Sequence, residues 1–101
     1  KDEAKVRYVG LIKLSKEGVQ KLKETYHHHK QEHFHKDEPW LRSKSFKKAY
    51  MTCMLQALIN AGHEVKPIVI NRGWLEFDTV EDYEKYNKWL QDGTLKRFII
   101  F

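Results

Sequence analysis

The 101-residue sequence has a single cysteine and two prolines. One cysteine excludes an intrachain disulfide framework. Cys53 stands among Met51, Met54 and Leu55, and no His, Asp or Glu lies at an activating spacing on its helix face, so it reads as a small core residue rather than a nucleophile. No apolar run approaches the roughly 18 residues that a membrane span needs. No signal peptide precedes the first expected strand, so the expectation is a cytoplasmic location with no membrane partner.

What is present argues for one small folded domain. The chain is 41% hydrophobic and 33% charged, which argues against disorder. A domain of this length buries only about 60 to 65% of its unfolded surface and forms one modest core. The net charge of +5 favours anionic partners: nucleotide phosphates, a phosphorylated metabolite or nucleic acid. Charge alone does not separate these.

In chain order, Lys1 to Lys5 is a polar, frayed lead-in, and Val6 to Leu14 is apolar and β-branched enough for a strand. Gly10 inside that strand marks either a close approach by a ligand or backbone, or a simple bulge. Ser15 starts a helix running from about Lys16 to about His35, with Val19, Leu22, Tyr26 and then His29 or His33 on one face. Five histidines fall within the nine residues from His27 to His35. His29 and His33 stand at i and i+4, which puts two imidazoles on one helix face, as a zinc or nickel site requires. No third ligand stands at an obvious spacing, since Glu32 is expected to face elsewhere. A solvated or partly packed His-rich helix end is therefore the preferred reading, with pH sensitivity as its consequence.

Pro39 ends that region. A second helix is expected from Ser45 to about Ala61, burying Phe46, Tyr50, Cys53, Met54, Ala57, Leu58 and Ala61, with Gly62 as its stop. Lys44, Lys47, Lys48 and Arg42 near its start read either as phosphate contacts or as an ordinary solvated face. Val65 to Ile70 is a second expected strand, with Pro67 at an edge or irregular start, and Trp74 to Phe77 a short third one. The last helix runs from Val80 to about Gln91, with Tyr83, Tyr86 and Leu90 on one stripe and Gly93 as its stop. The apolar end Phe98-Ile99-Ile100-Phe101 calls for a covering surface: a missing half, a neighbouring strand or another copy of the chain.

The densest stretch is Gly73-Trp74-Leu75-Glu76-Phe77-Asp78-Thr79-Val80-Glu81-Asp82. Thr79 and Asp82 form a Thr-x-x-Asp capping box at the start of the last helix. Asp78 then sits at the end of the expected third strand, with Glu76 two residues earlier on the same face. Such an arrangement suits a metal carboxylate. The alternative is that Asp78 or Thr79 only caps the helix and Glu76 is solvated, and on spacing alone that alternative is the commoner one.

This stretch, preceded by the apolar run Val65 to Ile70, resembles the closing motif of the sugar-phosphate and phosphocholine-type nucleotidyltransferases, Trp-x-Glu-(Ile/Val)-Asp-Thr-x-Glu-Asp. The resemblance extends through Tyr8-Val9-Gly10-Leu11-Ile12-Lys13-Leu14-Ser15 and through Ala49-Tyr50-Met51-Thr52 with Leu55-Gln56. At the middle segment Cys53 replaces an expected Asp. The resemblance implies that Asp78 is a ligand of a catalytic Mg²⁺, that Gly10 lies at the substrate pocket, and that Trp74 and Glu76 line the acceptor site. For Trp74, plain core is the alternative. It also implies an α/β fold: the C-terminal half of a Rossmann-like nucleotidyltransferase domain, with a small mixed sheet flanked by helices.

No Gly-rich nucleotide loop stands before the first expected strand. Residues 1–101 are accordingly read as a single domain fragment, the C-terminal portion of a larger enzyme. That enzyme would transfer a nucleotidyl group, CMP or similar, from a nucleoside triphosphate to a sugar phosphate, phosphocholine or aminoethylphosphonate, releasing pyrophosphate. The isolated chain is expected to be inactive, and its partners are the missing N-terminal half or a second copy through the apolar tail. The rival reading is a small basic nucleic-acid-binding module with Trp40, Tyr26 or Phe34 as stacking faces.

Overall fold

The computed structural model describes residues 6–99. Over these the chain is helical: α1 (Lys16–His33), a 3-10 turn at Phe46–Lys48, α2 (Met51–Asn60), α3 (Val80–Asp92) and a second 3-10 turn at Thr94–Arg97. No strand or sheet exists among the described residues, and an isolated bridge links Trp40 and Ser43. This overturns the expected α/β fold with its small mixed Rossmann-like sheet. Val6 to Leu14, Val65 to Ile70 and Trp74 to Phe77 have strand-like composition but lie in irregular backbone. A strand is completed only by a partner's hydrogen bonds, and its composition records a fit to a half-buried pleated surface that is absent here. Ile68 is accordingly 89% exposed.

The chain divides into two units, Gly10–Pro67 and residues 6–9 with 68–99. In the first, Ser15 caps α1, its hydroxyl accepting from the Gly18 N–H at 2.9 Å. The helix ends at His33, slightly short of the expected His35, and Phe34 closes it by donating its N–H to the Lys30 carbonyl. After Pro39 the chain reverses between Trp40 and Ser43, which exchange backbone hydrogen bonds of 3.2 and 3.0 Å. The Ser43 hydroxyl bonds to the carbonyls of Trp40 and Ser45, so this buried polar group is satisfied. Leu41 takes the left-handed backbone of that turn, at φ 51°.

Trp40 is thereby held in the core with Phe46, Cys53, Met54 and Ala57, and Leu22, Phe34 and Ala49 pack against this cluster. Cys53 is a buried core residue, as its sequence neighbours suggest. The helix expected over Ser45 to Ala61 is two pieces. Ala49 (ψ 152°) and Tyr50 (ψ 165°) are extended, which separates the 3-10 turn from α2 and leaves Tyr50 exposed rather than buried. Ala61 is also exposed. Gly62 stops α2 as expected: at φ 89° it holds the left-handed conformation that glycine tolerates best.

In the second unit, α3 starts at Thr79 and ends at Gly93, whose φ of 84° is again left-handed. Of the expected stripe, Tyr83 and Leu90 are exposed and Tyr86 is half-buried. Aromatic edges carry the packing instead: Phe77 meets Tyr86 at 4.8 Å between ring centroids, Tyr86 meets Trp89 at 5.4 Å, and Trp89 stacks on Phe98 at 4.8 Å. Leu95, in the second 3-10 turn, is buried. The Gly73 N–H donates to the Phe98 carbonyl, tying the motif's start to the end of the described chain. Phe98 of the apolar end is thus partly covered within its own unit, while Ile100, Phe101 and the lead-in Lys1 to Lys5 lie outside the described residues. No helix among the described residues is long and apolar enough to cross a membrane.

Candidate functional site

The site builds from the first turn of α3. An α-helix leaves its first N–H groups without intrahelical partners. Here Thr79 Oγ1 accepts from the Asp82 N–H at 3.0 Å, and Asp82 Oδ2 accepts in return from the Thr79 N–H at 3.2 Å and the Asp78 N–H at 3.1 Å. The capping box is therefore complete. The Asp78 N–H, first among the causes, and then the Thr79 donors hold the Asp82 carboxyl below the usual range.

This arrangement shows which residues cap α3. Thr79 is the cap and Asp82 its reciprocal partner, so the Asp78 side chain takes no part in closing the helix. Among the described residues its carboxylate has neither a hydrogen-bond donor nor a cation beside it, and it is exposed.

Glu76 is differently placed. With no strand, the alternation that was to set Glu76 and Asp78 on one face does not apply. The Glu76 carboxylate pairs with the Arg7 guanidinium at 3.3 Å, and that guanidinium lies 5.8 Å from the Trp74 ring centroid. Trp74 is half-buried. A carboxylate and an indole face thus share one cation, an arrangement that accepts guanidinium or ammonium groups. Arg7 is a residue of this site that sequence reasoning missed, since nothing local announces a contact across 69 positions.

Gly10 belongs to the other unit. It is exposed, takes φ 90°, and no described atom lies within 4 Å of where a Cβ would be. Among the described residues neither a strand bulge nor close backbone packing explains this glycine, whose positive φ is one that glycine tolerates best.

The His-rich end of α1 also differs from expectation. Glu32 does not face away from the histidines. His29, Glu32 and His33 bring one ligand atom each to within 4.8 Å of one another. Glu32 lies 3.5 Å from His33 Nε2 and 3.6 Å from His28 Nε2. The imidazoles of His29 and His33 stack at 5.7 Å and pack against Trp40. Burial lowers the His29 pKa, with His28 and His33 adding to the shift. The signal for this cluster was present in the sequence as the spacing His29-x-x-Glu32-His33, which places all three on neighbouring positions of one helix face.

The same region holds the three residues expected as stacking faces, of which Tyr26 is exposed. Trp40 is 5% exposed and packs edge-on to Phe46, so it offers no stacking face. Phe34 already has the Lys30 and Lys47 ammonium groups over its ring.

In comparisons with known proteins, the chain is 32% identical over 83 residues to a CTP:phosphoglutamine cytidylyltransferase of Campylobacter jejuni. The match covers 82% of this chain and 30% of that relative, so the chain spans less than a third of the relative's length. No family model and no solved structure matches the chain. The similarity supports a nucleotidyltransferase-like relationship.

Proposed function

We propose that this chain is the C-terminal portion of a nucleotidyltransferase that transfers a nucleotidyl group, cytidylyl in the first instance, to a phosphorylated small molecule. An acceptor phosphate or phosphonate oxygen forms a bond to the α-phosphorus of the triphosphate. The bond from that phosphorus to the oxygen bridging to the β-phosphorus breaks, and pyrophosphate leaves with the electron pair. Such chemistry is served by positioning and charge neutralisation more than by a nucleophilic side chain.

The observation that carries this reading is the free carboxylate of Asp78 beside a cap that Thr79 and Asp82 complete without it. A hard oxygen donor with no competing partner fits Mg²⁺, which commonly takes one or two protein carboxylates and fills its remaining positions with water and substrate phosphates. Mg²⁺ bound there supplies neutralisation of phosphate charge and polarisation of a phosphoryl oxygen. Trp74 and Glu76 fit the acceptor's head group. Their present engagement of the Arg7 guanidinium supports a preference for a cationic one, such as choline or aminoethyl. The similarity to a cytidylyltransferase supports the same reading and favours CTP as donor.

Asp78→Asn in the full-length protein tests it. Because Asp78 is exposed and outside the cap, stability should change by no more than about 0.5 kcal/mol. Pyrophosphate release should fall by at least 10- to 100-fold, roughly the cost of losing even an outer-shell metal partner. Near-normal turnover at saturating Mg²⁺ would remove Asp78 from the metal site.

A further inference from the structure

The His-rich end of α1 holds a group of side chains that nucleotidyl transfer does not use. His29, Glu32 and His33 stand at i, i+3 and i+4 of one helix, the separations that put side chains on one face. Their ligand atoms already lie within 4.8 Å of one another, so a single ion can reach all three with small rotamer adjustments. Two imidazoles and one carboxylate form the donor set of open zinc sites, in which water fills the fourth position.

One further observation separates this group from a chance surface cluster. The imidazoles are held in place: both pack against the buried Trp40, and they stack at 21° to each other. Pre-placed ligands lose less freedom on binding. Among the described residues, Nδ1 of His29 and Nδ1 of His33 are both buried and without a partner. For His33 this leaves Nε2 as the nitrogen facing the Glu32 carboxylate, at 3.5 Å.

We propose that His29, Glu32 and His33 form a binding site for a divalent transition-metal ion of the zinc class, with solvent completing the coordination. Imidazole donors select zinc, nickel, copper and cobalt over magnesium and calcium, so this site and the carboxylate of Asp78 take different ions. The ion is held from one side by a single helix, which makes the site exchangeable rather than a closed structural zinc. The orphaned Nδ1 atoms act in the same direction, because metal-bound histidines ordinarily hydrogen-bond through their other nitrogen.

Zn²⁺ competition against a chromogenic chelator, and the visible spectrum of the Co²⁺-loaded chain, test this. One ion should bind per chain, with a Co²⁺ spectrum of low, near-tetrahedral coordination. Affinity should fall at least tenfold in His29→Ala/His33→Ala and in Glu32→Gln. Glu32 is exposed, so its substitution leaves the packing on Trp40 untouched and keeps the test valid if the double histidine variant unfolds. His27→Ala/His35→Ala should keep full affinity. Absence of stoichiometric binding, unchanged affinity in Glu32→Gln, or an equal loss in His27→Ala/His35→Ala would each overturn the site.

Discussion

The two units are built on opposite principles. Residues 10–67 bury Trp40, Phe46, Cys53, Met54, Ala57 and Leu58, drawn from a turn, a 3-10 segment and α2, with α1 packed alongside. In residues 6–9 and 68–99, Leu95 is the only buried hydrophobic residue among those described. Local devices hold that unit instead: the Thr79/Asp82 capping box, the left-handed Gly93, the Arg7–Glu76 pair and a chain of aromatic edges. The stretch with the most distinctive chemistry therefore sits where the fewest side chains are buried. Scaffold and site draw on different residues, and substitutions in the two units should have effects of different size and kind.

The largest expected effect is in the core. Trp40→Ala removes the residue around which His29, His33 and Phe46 pack, and should cost about 3–5 kcal/mol, enough to unfold so small a unit. Phe77→Ala, at a ring that is 58% exposed, should cost no more than about 1 kcal/mol. Urea unfolding followed by helix content measures both. Equal losses would show that the contrast between the units is not energetic.

What the sequence made legible follows the same division. Features set by neighbours three or four residues apart were readable: the Ser15 and Thr79 caps and the stops at Gly62 and Gly93. The apolar pattern runs unbroken through Ala49 and Tyr50, so the interruption before α2 had no local sign. The expected strands failed because β-branched composition does not supply a partner strand. At the site, the reciprocity of Thr79 and Asp82 was legible, whereas Arg7 reaches Glu76 only through the tertiary arrangement of its unit. Glu32 was misplaced by reasoning from His29 and His33 alone. At i+3 from one and adjacent to the other, its long side chain reaches the face that they share.

A smaller effect sharpens the contrast in kind. Thr79→Ala leaves the Asp82 N–H without its side-chain acceptor and should cost about 1 kcal/mol, read as earlier fraying of α3. Hydrogen exchange resolved by residue should show lost protection in α3 and none in α1. A uniform loss across both helices would mean that the units melt as one, and that the cap of α3 bears on the whole chain.

The smallest effect separates the caps of the two long helices by pH. Ser15 caps α1 with a hydroxyl that does not titrate, whereas the cap of α3 depends on the ionised Asp82 carboxylate. The Asp78 N–H, and after it the Thr79 donors, hold the Asp82 pKa below its ordinary 3.8. Between that depressed value and 3.8 the unfolded chain binds more protons than the folded one, so stability falls as pH falls. The contribution is complete above pH 3.8 and is lost as pH drops through the folded-state value. The first-turn amides of α3 should therefore lose protection at acid pH while those of α1 do not, and Asp82→Asn should flatten that response, since its amide oxygen accepts without a charge to titrate. An acid response unchanged in Asp82→Asn would place its source in another carboxylate.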